Sequence, residues 1–128
     1  MRLAVVALIL AGACTQDETI SGFADVGSIW QLSELDGEAW NARTTLEISE
    51  KGRITGQAPC NSYFSVQTAP YPWFELGPIG ASKMACRELD AESKYFAALR
   101  AMTIAEVSGP VLILSNEDDR EMVFRRVN

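Results

Sequence analysis

Residues 44–57 read Thr44-Thr45-Leu46-Glu47-Ile48-Ser49-Glu50-Lys51-Gly52-Arg53-Ile54-Thr55-Gly56-Gln57. Leu46 and Ile48 alternate with Glu47, so an extended chain turns apolar side chains to one face and polar ones to the other. The run reaches Lys51-Gly52 and Arg53-Ile54-Thr55-Gly56 then returns, which predicts a β-hairpin over 44–57. Upstream, Trp30-Gln31-Leu32-Ser33-Glu34-Leu35 alternates with Trp30 and Leu32 on one face, and Asp36-Gly37 makes the turn. Downstream, Ser62 to Thr68 and the shorter Trp73 to Leu76 are strand candidates. Val111-Leu112-Ile113-Leu114 is a solid apolar run, and the acidic turn Asn116-Glu117-Asp118-Asp119 leads to a last strand from Glu121 to Val127. Short apolar segments separated by turn signals about every ten residues suggest a β sandwich or barrel.

One stretch departs from that pattern. Leu89, Glu92, Tyr95, Phe96, Leu99 and Met102 recur at intervals of three and four, and all but Glu92 form one apolar stripe. Ala91, Ala97, Ala98 and Ala101 favour helix, Asp90 suits a first turn, and Gly109-Pro110 halts anything helical. The expectation is one helix over about 88–103 among seven or eight strands. Strands and helices do not alternate, which excludes a βαβ arrangement. The expected class is α+β, mostly β: a strongly curved antiparallel sheet or small barrel with one helix.

The chain has 128 residues, 48% apolar and 22% charged, enough for one compact domain. It contains no His, which excludes Ser-His-Asp and Cys-His triads and any metal site that needs imidazole. Its net charge of −6 argues against nucleic acid as a partner, because phosphate binding needs clustered Lys and Arg.

Residues 1–13 read as an export signal: Arg2, an apolar run from Leu3 to Leu10, then small residues. The run is far short of the ~20 residues a spanning helix needs. Ala11-Gly12-Ala13-Cys14 resembles the lipobox of bacterial lipoproteins, with Ala11 where Leu is commonest. That implies lipidation of Cys14; the rival is ordinary cleavage near Ala13 and a secreted protein with a free thiol. Three cysteines make one pair plus one, and lipidation of Cys14 accounts for the odd one. Several acyl chains would hold the protein durably on a membrane. Thr15 follows the Cys rather than Asp, so the outer membrane is favoured over the inner, with the domain facing the periplasm. Residues 14–27 are polar and Gly-containing and read as the lipidated Cys and a tether, with the domain over 28–128.

Trp30-Gln31-Leu32 with Asp36-Gly37, Thr45-Leu46-Glu47-Ile48, Gly52-Arg53-Ile54-Thr55-Gly56 and Cys60-Asn61-Ser62-Tyr63 follow one another in order. Ile79-Gly80, Ala81-Ser82-Lys83-Met84-Ala85-Cys86, the helix with Glu92, Tyr95, Phe96 and Leu99, then Leu112-Ile113-Leu114 and Met122-Val123-Phe124 complete the series. In that order they resemble the META domain family, the group that includes HslJ-like heat-shock lipoproteins, over about residues 28–126. Pro59, Ser65, Gln67 and Ser82 stand where that family usually has Gly, Gly, Tyr and Thr. The resemblance implies a small curved sheet or barrel packed on a helix. It also implies a cell-envelope setting with associations to stress, motility and virulence, and brings no catalytic residues with it.

Cys60 and Cys86 are expected to form a disulfide, as two cysteines left in an exported domain usually do. No Cys-X-X-Cys points to redox work, and Met84 is the nearest further soft ligand, so no metal or cofactor is expected. Asn61 can satisfy backbone groups at a bend or contact a ligand. Among the aromatics Tyr63, Phe64, Tyr71, Trp73 and Phe74, alternation sends about half inward. Phe74 is assigned to the core, and Tyr63, Tyr71 and Trp73 join Asn61 as a candidate binding surface. Glu117-Asp118-Asp119 lacks the spacing and Gly of a calcium loop. The leading expectation is a non-enzymatic, stress-related binding or protective module that works through an envelope protein partner. The alternative is a small-ligand barrel or an inhibitor of a cell-wall hydrolase, and the discriminating feature is whether the aromatics fill the interior.

Overall fold

The structure is a computed structural model and describes residues 16–128. The expected signal over 1–13 and Cys14 lie outside the described residues. Among the described residues there are nine strands and one α-helix: β1 (Ser28–Leu35), β2 (Glu38–Ala39), β3 (Thr45–Ile48), β4 (Arg53–Gln57), β5 (Ser62–Val66), β6 (Gly80–Ala81), α1 (Leu89–Ala101), β7 (Ile104–Ser108), β8 (Val111–Ser115) and β9 (Glu121–Arg126). They form one antiparallel sheet in the order β6-β5-β4-β3-β1-β9-β8-β7, with β2 added alongside β1. The chain enters at the middle of the sheet, builds outward to β6, and crosses through α1 to the opposite edge. It then returns so that β9 pairs with β1.

The alternation of the 44–57 hairpin is realised as expected. Leu46, Ile48 and Ile54 are buried, and Glu47 pairs across the ladder with Thr55. In β1 the register against β9 shifts between Leu32 and Glu34. This bulge adds one residue, so Trp30, Leu32 and Leu35 all face inward while Glu34 stays out. The concave side is packed by Trp30, Tyr63, Phe74, Tyr95, Met102 and Phe124, all buried.

Three expectations are corrected. The α+β, mostly β class and the strongly curved antiparallel sheet hold, but the sheet is curled without closing, so the barrel form is not the one adopted. Trp73–Leu76 forms no strand, and its backbone pairs only through single bridges, Trp73 to Ile104 and Gln67 to Leu76, while Phe74 packs in the core. Pro70, Pro72 and Pro78 flank this stretch and bring no N–H to a ladder. The segment instead laces the two sides together. Ala105 N–H donates to Pro72 O at 2.7 Å, Phe74 N–H to Thr103 O at 2.9 Å, and Gly77 N–H to Val66 O at 2.9 Å.

The third correction concerns the tether. Of residues 14–27, those from Asp17 onward pack on the domain. Ile20, Ser21 and Ala24 are buried, with Ile20–Gly22 in a 3-10 turn capped by Thr19. The cause is the turn at 49–52, which leaves backbone groups to satisfy. Ser21 Oγ donates to Ser49 O and accepts from Gly52 N–H at 2.8 Å. The Asp17 carboxylate accepts from Lys51 N–H at 2.7 Å. Gly52 has a φ of 74°, and a side chain there would strike the Gln67 carbonyl.

The helix spans Leu89–Ala101, and its buried face is Glu92, Tyr95, Ala98 and Leu99, with Met102 closing the end. Leu89 is 41% exposed, so the first position of the expected apolar stripe lies off the core and a carboxylate occupies the next turn. Among the described residues no helix is long and apolar enough to cross a membrane.

Candidate functional site: the disulfide corner and its groove

The turn between β4 and β5 brings Cys60 beside Cys86, and the two form a disulfide with Cα atoms 5.8 Å apart. Next to it, Glu92 reaches from α1 into the turn. Its Oε1 accepts from Cys60 N–H at 3.0 Å and Asn61 N–H at 2.7 Å, and its Oε2 accepts from Asn61 Nδ2 at 2.7 Å. Three donors on one buried carboxylate supply the solvation it loses on burial. Asn61 is saturated as well. Nδ2 also donates to Met84 O at 3.1 Å, while Oδ1 accepts from Ser82 Oγ at 3.0 Å and Met84 N–H at 2.6 Å. One amide therefore uses both hydrogens and both lone pairs to join the turn, the 82–84 segment and the helix. Asn61 serves the bend and presents no free polar group.

Tyr63 is also an interior residue. Its hydroxyl donates to Thr45 O at 2.8 Å and lies 2.5 Å from the Tyr95 hydroxyl, which is thereby left to donate. Phe96 meets Tyr63 edge-on with centroids 5.4 Å apart. Burial pushes the ionisation of Tyr63 far above the ordinary phenol range, and burial acts on Tyr95 in the same direction.

The remaining expected surface residues lie elsewhere. Tyr71 is half-buried, stacks on Phe23 with centroids 4.2 Å apart, and accepts from Val107 N–H at 3.0 Å. Trp73 is 57% exposed and lies with Ala101, Thr103 and the 116–118 turn. Asn61, Tyr63, Tyr71 and Trp73 therefore do not make one surface.

The structure gathers a different set. A groove of about 420 Å³ runs between the 79–85 segment and α1, walled by Ile79, Met84, Leu89 and Phe96 and flanked by Lys83 and Arg100. Met84 is 68% exposed, and the Arg100 guanidinium lies 6.0 Å from the Phe96 ring centroid. Asn61 and Glu92 line the same groove from its interior side, with their polar atoms already paired. Sequence reasoning did not assemble this groove, because its walls come from residues that each read as ordinary helix or loop. The available signal was Glu92, a carboxylate in the middle of an apolar stripe, which requires a partner across the fold.

A curled, open antiparallel sheet spanned by one helix, with a disulfide-closed corner, defines a small mostly-β domain. A model of the META domain matches residues 24–128, and the chain belongs to that family. Its fold is similar to that of a protein from Burkholderia xenovorans solved by NMR, with 23% identity and a TM-score of 0.66 over 80% of this chain and 83% of that one. A second NMR structure gives 12% identity and a TM-score of 0.62, over 77% of this chain and 88% of its own. The crystal structure of a DUF4847 family protein from Bacteroides vulgatus gives 13% and 0.55, over 64% and 57%. At these identities the likeness is one of fold. No curated protein matches the sequence.

Proposed function

We propose that this chain is a bacterial envelope lipoprotein, anchored through Cys14 with its META domain in the periplasm, outer membrane favoured over inner. In this reading it is a non-enzymatic binding or protective module that acts through a protein partner. The observation that carries the choice of partner over small ligand is the filled interior. Trp30, Tyr63, Phe74, Tyr95 and Phe124 occupy the concave side where a carrier would hold its cargo. Exposed recognition area lies instead along the groove, where Met84 and Leu89 present apolar surface beside Lys83 and Arg100.

Cross-linking in intact cells followed by pull-down tests this reading, with a non-lipidated form and a Met84→Glu, Leu89→Glu variant run beside the natural protein. The expected result is a protein enriched by the natural chain and lost in both controls. Equal capture by all three overturns the partner reading. A reproducible small-molecule mass on the gently extracted protein, measured by native mass spectrometry, replaces it with the carrier alternative.

A further inference from the structure

The pairing register gives the sheet two ends. Ser28 faces Ile48, Arg53 faces Val66 and Ser108 faces Val111 at one end; Leu35 faces Met122, Gln57 faces Ser62 and Ser115 faces Glu121 at the other. The described chain begins at the first end. Gln16 and Asp17 border the same cleft as Val26, Lys51 and Thr68, and Tyr71 N–H donates to Glu18 O at 2.7 Å. The apolar side chains exposed at the same end include Phe23 and Val26, each 55% accessible, with Phe23 stacked on Tyr71, and Val66 and Val127 lie at that end as well.

We infer that this end is the membrane-facing surface of the domain, and that Phe23 and Val26 seat in the headgroup region of the bilayer. The inference rests on the lipoprotein reading, and chain geometry takes it further. Cys14 precedes Asp17 by three residues, which span at most about 11 Å at full extension. Asp17 is fixed to the 49–52 turn, so no longer tether intervenes. The far-end turn after Leu35 lies about 23 Å along β1, beyond that reach. An acyl chain on Cys14 therefore brings the Ser28 end to the bilayer and holds the groove and the disulfide corner away from it.

Charge favours the same orientation. Near the anchor, Lys51, Arg53, Arg125 and Arg126 stand against Asp17, Glu18, Asp25, Glu47 and Glu50, and Arg126 is paired directly with Asp25. The far-end turns at 36–38 and 116–121 carry Asp36, Glu38, Glu117, Asp118, Asp119 and Glu121 against Arg120, with Lys94 near Asp36 and Lys83, Arg87 and Arg100 along the corner and groove. A bilayer containing anionic lipid repels those two acidic turns more than it repels the near end. Exposed aromatic and aliphatic side chains beside a lipid anchor suit the interfacial region, where a ring can lie at headgroup depth.

The test uses the full-length protein matured in cells, placed in nanodiscs of phosphatidylethanolamine and phosphatidylglycerol with and without a nitroxide-headgroup lipid. Intact mass of the same sample reports acylation of Cys14. With Cys14 acylated, the nitroxide lipid is expected to abolish the amide signals of residues 18–27, 49–52 and 68–71 while those of 36–38 and 116–121 survive. Phe23→Ser with Val26→Ser, both on exposed side chains that leave the core intact, is expected to restore part of the lost signal. Signal loss spread evenly over the domain, or strongest along α1 or at the far-end turns, overturns the orientation and leaves the lipoprotein reading standing. Unchanged loss in the double variant overturns the seating of Phe23 and Val26. An unmodified Cys14 overturns both readings together.

Discussion

The two ends of the sheet are closed by different means. At the far end, a covalent bond, a buried carboxylate and one saturated amide converge on Asn61, so that each polar atom depends on the others for its solvation. At the near end, short side chains from residues 17–21 meet the 49–52 turn one bond at a time, around a single apolar plug, Ile20. A buried network of the first kind fails as a unit when one member is removed, because the survivors are stranded without water. Separate bonds near solvent fail singly, since water replaces each. The first arrangement suits a corner that must hold the walls of a groove. The second suits an end that only has to keep the chain's entry point in place.

The largest expected effect is therefore at the corner. Asn61→Ala removes four hydrogen bonds and strands Glu92 Oε2 together with the Met84 backbone, which should cost about 3–5 kcal/mol. Urea unfolding measures it, and a cost near 1 kcal/mol would show that water enters the corner and that the two ends do not differ. Replacing Cys60 and Cys86 together by Ser opens a loop whose ends are 26 positions apart, with an expected loss of about 3.5 kcal/mol on the chain-entropy estimate. Combined with Asn61→Ala, the loss should fall short of the sum, because both act on the same turn.

The near end comes next. Ile20→Ala should cost about 3 kcal/mol, since Ile20 is fully buried in the core, whereas a residue in a free tether would cost nothing. Ser21→Ala leaves Gly52 N–H without its acceptor and should cost about 1–2 kcal/mol by the same unfolding measurement. If these two changes prove neutral while Asn61→Ala is severe, the near end is a loosely attached strap, and the fixed anchor geometry loses its basis.

The contrast also explains what could be read from the sequence. Alternation at Leu46, Glu47 and Ile48 identifies strands because one face of a sheet is apolar and the other is wet, and the helix at 89–101 shows through its 3.6-residue spacing. The cysteine pair follows from counting. The near end was hidden because a polar tract with one isoleucine has the composition of a linker. It folds back because Ile20 finds a place in the core and Ser21 satisfies backbone groups of a turn about thirty residues away, and neither partner is near in sequence. The groove was hidden for a related reason. Leu89, Phe96 and Arg100 follow one another at helical spacing along α1, but Met84 and the rest of the 79–85 segment reach that helix only through Asn61, which bonds both Met84 and Glu92, and no local period reports that contact. Trp73–Leu76 misled because its alternation is genuine, while flanking prolines deny it a ladder.

The smallest effect separates the two ends by pH. Each end carries an aspartate held below the ordinary carboxylate range. For Asp17 the main cause is the Thr19 hydroxyl, with the Lys51 and Thr19 N–H groups assisting; for Asp36 it is the Arg120 guanidinium, then the Glu121 N–H. In both, the folded state binds the proton less readily than the unfolded state. Their stabilisation is therefore complete above the ordinary carboxylate range and is lost as pH falls through the lowered folded value. Both groups are largely solvated, so Asp17→Asn and Asp36→Asn should each cost about 0–1 kcal/mol at neutral pH. Asn keeps the left-handed backbone that residue 36 needs at its φ of 51°, which confines the change to charge. The penalty of each variant should shrink toward zero in acid, where the natural aspartates are themselves protonated. A penalty that stays constant into acid would mean that the aspartate acts through shape rather than charge. Added salt should weaken the Asp36–Arg120 pair more than the Asp17 cap, because the first is an exposed ion pair and the second rests chiefly on hydrogen bonds to a hydroxyl and backbone N–H groups.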